Sequence, residues 1–129
     1  MATYSILVTS SPVSSDSARQ VAEFCRSLNQ AKHSVQQIFF YQDGIYHANN
    51  LMMPPSDESN PHQIWKDLHQ ELQIPLIVCV TAAVRRGVIS DSEAKSIGVS
   101  SNNLTPPFVD TGLGEFFSQL HESDHLVQF

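Results

Sequence analysis

Two short apolar runs, YSILVT at 4–9 and VQQIFFY at 35–41, flank a segment whose apolar residues recur with helical spacing. That order constrains the fold more than any other feature of the chain. Ala18, Val21, Cys25 and Leu28 fall on one face of a helix predicted over about 16–32, with Phe24 beside them. Arg19, Glu23 and Arg26 fall elsewhere on it. Strand, helix and strand within about 38 residues make a βαβ unit, and a crossover of that length joins parallel strands.

The rest of the chain continues the pattern. MMPPSDESNP at 52–61 is a loop that ends in Asn60-Pro61, an N-cap followed by proline at the first helical position, and the helix it opens runs to about Leu72. Trp65, Leu68 and Leu72 share its inner face. PLIVCV at 75–80 is a third strand, and its continuous hydrophobicity predicts cover on both faces. A helical turn, TAAVRR, should follow it. Ser90-Asp91-Ser92-Glu93 has capping-box spacing and starts a short helix ending near Gly98. SSNNLTPP reads as a loop. Asp110 or Thr111 then leads through Gly112 and Gly114 into an amphipathic helix ending near His121, and HLVQF closes the chain as a strand. The predicted architecture is one three-layer α/β/α domain spanning 1–129, with a mostly parallel central sheet of about five strands.

A chain of 129 residues is long enough to bury roughly two-thirds of its unfolded surface, so a self-sufficient core is expected. No apolar run approaches the ~20 residues needed to cross a bilayer, and Met1–Thr9 lacks the features of a secretory signal. Two cysteines make no disulfide framework, and a cytoplasmic protein with reduced thiols is expected. The net charge of −6 argues against direct nucleic-acid binding, which needs a broad basic surface. Six scattered histidines and cysteines outside C-x-x-C spacing give no metal motif, so no metal is predicted and surface or capping roles are expected for the histidines.

The chemistry therefore turns on the cysteines. Cys25 lies on the apolar stripe of its helix and reads as a small core hydrophobe. Cys79 lies near the carboxyl end of the third strand, where open α/β sheets gather ligands and chemistry. An ordinary cysteine thiol with pKa ~8.5 is about 3% ionised at pH 7, and half-ionisation requires roughly 2 kcal/mol of stabilisation. A helix N-terminus supplies ~0.3–1 kcal/mol, and burial works against it. Arg85 and Arg86 are the residues placed to add the remainder. From position alone, the choice between a functional and a core Cys79 stays open.

Two segments offer alternative chemistries. Cys79 to Arg85 fits C-x5-R, the spacing of cysteine phosphatases, but Val80, Thr81, Ala82, Ala83 and Val84 favour a strand end and a helix start over a curled amide cradle. The hydroxyl-rich TSSPVSSDS at 9–17 has the position of a flavodoxin-like phosphate loop; it lacks glycine and carries Asp16, and N-capping accounts for its serines.

FFYQDGIYHANN at 39–50, with Gly44, Tyr46 and Asn49 at fixed offsets, resembles the signature of the DsrE/TusD sulfur-relay family; so do CVTAAVRRGV at 79–88, SSNNL at 100–104 and the terminal VQF. The resemblance spans nearly the whole chain in the same order. It implies a DsrE-like fold and a sulfurtransferase subunit in which Cys79 accepts sulfur as a persulfide and passes it on, with no cofactor. It also implies a heterohexamer with related TusB-like and TusC-like subunits, relaying sulfur from a TusA-like carrier to a TusE-like acceptor, towards 2-thiolation of transfer-RNA wobble uridine. A DsrE-type role in dissimilatory sulfur oxidation, or a non-catalytic interaction subunit of the same fold, are the alternatives it leaves. Tyr41, Gly44, Tyr46 and Asn49 are expected on a docking rim beside Cys79, and Phe39 and Phe40 in the core.

Overall fold

A computed structural model describes all residues from Met1 to Phe129. The central sheet has five parallel strands in the order β4-β3-β2-β1-β5: β1 is Thr3–Val8, β2 Ser34–Phe40, β3 Leu76–Cys79, β4 Phe108–Thr111 and β5 His125–Gln128. The helices are α1 Ser17–Gln30, α2 Pro61–Leu72, α3 Val80–Arg85, α4 Asp91–Ile97 and α5 Leu113–His121. None is long and apolar enough to cross a membrane.

Register divides the side chains into two faces, because successive residues of a strand point to opposite sides. Ile6 pairs with Ile38, and Val8 with Phe40. Leu76 pairs with Ile38 and with Phe108. All six are buried, and on this side Phe40 meets Trp65 of α2 edge-on at 4.9 Å between ring centroids. The inner stripe of α1, including Cys25, joins the same core. The opposite side carries Leu7, Phe39, Ile77 and Val109, and a single helix, α5, lies over it through Phe116 stacked on Phe39 at 4.5 Å. Buried Gln37 on this side donates from Nε2 to Ser5 Oγ and to the Phe116 carbonyl.

Local signals act as expected in two helices. Asn60 Oδ1 accepts from the Gln63 amide at the start of α2. Ser90 Oγ accepts from the Glu93 amide at the start of α4, which stops at Gly98 in the left-handed region, φ 80°. Three expectations need correction. β4 lies in the stretch read as loop and lead-in to α5, and α5 is capped by Gly112, with no side-chain cap from Asp110 or Thr111. The serines of the loop after β1 do not cap α1: the cap residue is Asp16, whose carboxylate makes no capping hydrogen bond and is held by Arg19. The run LIVC is covered fully on one face only, since Ile77 is half-buried while Leu76 and Val78 are buried.

Candidate functional site at the carboxyl edge of β3

β3 passes into α3 with no intervening residue. Cys79 is the last residue of the strand and the N-cap of the helix, with extended φ −68° and ψ 115°. Strand register puts it on the α5 side, in line with Ile77 and beside Thr111. α3 runs straight on from Val80 through Arg85, so the five residues between Cys79 and Arg85 form a helix and no phosphate-cradling loop. At six residues, under two turns, α3 offers a weak dipole.

Cys79 is 2% exposed, yet it lines a pocket of about 330 Å³. Tyr41 and Gln42, at the end of β2, form one wall. Thr81 and the two arginines of the α3 segment form another, and Leu113 at the start of α5 closes the rim. Arg86 is fixed: its Nε donates to Asp43 Oδ1 at 3.2 Å and its Nη1 to the Ala82 carbonyl at 3.2 Å. Arg85 is exposed and makes no ion pair. Of the expected activating and rim residues, Arg85, Arg86 and Tyr41 are thus gathered around Cys79.

Gly44, Tyr46 and Asn49 are not in the pocket lining. They belong to a 3-10 helix, Gln42–Ala48, and its C-cap, in a stretch that reads as loop from sequence. A Cβ on Gly44 would stand 2.0 Å from the Val8 carbonyl oxygen, so this glycine lets the 3-10 helix lie against the end of β1. Asn49 Oδ1 accepts from the Leu51 amide and from Asn103 Nδ2. Tyr46 packs half-buried against the core. Gln42 and Thr81 lie inside the two family-like motifs without standing out in them, and Leu113 lies outside both and is brought to the thiol by the fold alone.

The other cysteine contrasts with this. Cys25 is 1% exposed on the α1 stripe, and burial pushes its thiol up to about 12. The histidines do not assemble with cysteines or carboxylates into any group of three suited to a metal ion. One of them, His47, is a core residue and not the surface or capping group expected. Trp65 Nε1 donates to His47 Nδ1 at 2.9 Å. The ring therefore keeps its proton on Nε2, which faces the Ser10 carbonyl at 3.0 Å and Ser17 Oγ at 3.1 Å. This network ties the 3-10 helix, α2, the start of α1 and the loop after β1. Burial lowers His47 from 6.5 to about 4. Two serines of the loop after β1 bond within it, Ser11 Oγ accepting from the Val13 amide and Ser15 Oγ donating to the Ser11 carbonyl, while the buried Ser10 hydroxyl has no partner. No serine there caps α1.

Residues 2–129 match the model of the DsrE/DsrF-like family. Sulfurtransferase TusD homolog of Vibrio cholerae is 39% identical over 127 residues, covering 98% of this chain and 97% of that protein. Sulfurtransferase TusD of Buchnera aphidicola (strain 5A) is 38% identical over 126 residues, covering 98% of both. The crystal structure of the ychN protein from E. coli superposes with a TM-score of 0.75 at 17% identity over 100% of both chains, a likeness of fold. With its full length matched and the parallel five-stranded sheet in place, this chain belongs to the DsrE/DsrF-like family.

Proposed function

We propose that this protein is a sulfurtransferase subunit that carries a persulfide on Cys79 and relays it between carrier proteins. Full-length similarity to proteins named sulfurtransferase TusD carries the reading. The position of Cys79 in a pocket at the carboxyl edge of the sheet supports it. In the accepting step the Cys79 thiolate attacks the terminal sulfur of a donor persulfide, R–S–SH. A new S–S bond forms at Cys79 as the donor S–S bond breaks, and the donor leaves as R–S⁻, which takes up a proton. One persulfide replaces another, so no oxidant or reductant is consumed. The acceptor thiolate repeats the step on Cys79–S–SH. Arg86, held in the wall, is the guanidinium assigned to the Cys79 anion; Asp43 shares its charge.

The relay is assigned to the TusD branch, towards 2-thiolation of transfer-RNA wobble uridine in the cytoplasm. The partners are related TusB-like and TusC-like subunits in a heterohexamer, with a TusA-like donor and a TusE-like acceptor. The 2% exposure of Cys79 is the observation that favours the competing reading, a non-catalytic interaction subunit. Mass spectrometry after incubation with a persulfide donor separates the two. The relay reading expects a gain of about 32 Da at Cys79 that is lost on addition of an acceptor thiol. Normal acceptance and release of sulfur by Cys79→Ser would refute it.

A further inference from the structure

We propose that Arg85 recruits the partner by charge, receiving a carboxylate that lies beside the sulfur on an acidic segment of the partner polypeptide; this rests on the relay reading. Of the four arginines, Arg19, Arg26 and Arg86 each pair with a carboxylate of this chain, and Arg85 pairs with none. The chain has 13 acidic residues against 7 basic ones, yet no carboxylate lines the Cys79 pocket. With Arg86 paired to Asp43, the unpaired guanidinium of Arg85 is the charge that draws anions towards the sulfur. The two neighbouring guanidiniums thereby divide the work: Arg86 is anchored in the wall by Asp43 and the Ala82 carbonyl and serves the Cys79 anion, whereas Arg85 remains available to an incoming group.

The occupant is a polypeptide because the recognition surface outruns the cavity. Leu113 on the pocket rim is 39% exposed, and Phe117, four residues on along α5, is 51% exposed. Residues at that spacing are neighbours on one helix face. A segment with an acidic residue beside its sulfur and an apolar residue beyond it matches both features. A folded surface does not enter about 330 Å³, but one or two side chains do.

Two labels report on Arg85 without any sulfur transfer. Cys79 is alkylated with anionic iodoacetate and with neutral iodoacetamide in the wild-type protein, Arg85→Lys and Arg85→Gln. The iodoacetate-to-iodoacetamide rate ratio should fall roughly three- to tenfold in Arg85→Gln and persist in Arg85→Lys, with the iodoacetamide rate unchanged. An unchanged ratio overturns the proposal. A parallel fall in both rates overturns it too, since Arg85 would then act on the thiolate itself. A second arm measures protection of Cys79 from iodoacetamide by a peptide bearing Glu-Ser-Leu and by S-methylglutathione. Protection by the peptide that disappears in Arg85→Gln is expected. Protection by S-methylglutathione alone, or by neither, overturns the choice of a polypeptide. The gain of about 32 Da at Cys79 is scored separately, so failure of charge recruitment and failure of the relay reading give different results.

Discussion

The two faces of the sheet differ in how completely they are closed, and the two cysteines sit on opposite sides of that difference. On the α1/α2 side Ile6, Val8, Ile38, Phe40, Leu76, Val78 and Phe108 are all buried and Cys25 lies within the packing. On the α5 side one nine-residue helix covers the centre, Ile77 is half-buried and Val109 is 50% exposed. Cys79 belongs to this side. Fractional exposure does not separate the two thiols, at 1% and 2%. What separates them is the adjoining space: the pocket beside Cys79 is about 330 Å³ and carries two guanidiniums, whereas the one beside Cys25 is about 110 Å³ and carries none. A closed face supplies stability and an open one supplies access, and a shift of one residue along β3 exchanges them.

The largest effect that bears on this contrast is on sulfur transfer. Cys79→Ser should reduce transfer to background, whereas Cys25→Ala should retain it within about twofold, scored by transfer of labelled sulfur to an acceptor thiol. Equal loss in both would erase the distinction between the faces. Next comes reactivity. With its thiol pushed up to about 12, native Cys25 at pH 8 should alkylate on the order of a thousandfold more slowly than an ordinary cysteine, and Cys79 should label first; peptide mapping before and after unfolding in urea checks both.

Stability should show the same asymmetry. Leu76→Ala, on the closed face, should cost ~2–5 kcal/mol, and Ile77→Ala on the open face about half that, measured by urea denaturation. Gly44→Ala should cost ~2–4 kcal/mol, because its Cβ meets the Val8 backbone. His47 adds a pH dependence to the closed face. Its folded value of about 4 lies below its ordinary 6.5, so the unfolded chain takes up the proton first as pH falls. This stability is whole above pH 6.5 and is lost towards pH 4, amounting to ~2–3 kcal/mol between pH 7 and 4.5. His47→Gln should flatten that part of the profile. The smallest effect is Val109→Thr, expected within ~0.5 kcal/mol.

The elements legible in the sequence are those whose signals are local. The stripe of α1, the Asn60-Pro61 start of α2 and the Ser90 cap of α4 each depend on residues within one turn. β4 was hidden because FVDT buries only Phe108 at a sheet edge, with neither alternation nor a long apolar run. The 3-10 helix was hidden because it rests on the fit of Gly44 against Val8, a contact across 36 positions of chain. The place of Cys79 at a strand end was legible in the apolar run that precedes it. The pocket was not: Leu113 arrives from α5, and which arginine is free depends on Asp43 reaching Arg86.

With no residue between β3 and α3, the thiol at their junction is held between a sheet strand and a helix, with no loop on either side. It is a berth and not a swinging arm. On the relay reading, reaching for a donor or an acceptor falls to the visiting proteins, so lengthening the β3–α3 junction by even one glycine should blur the sulfur's position and slow both halves of the exchange.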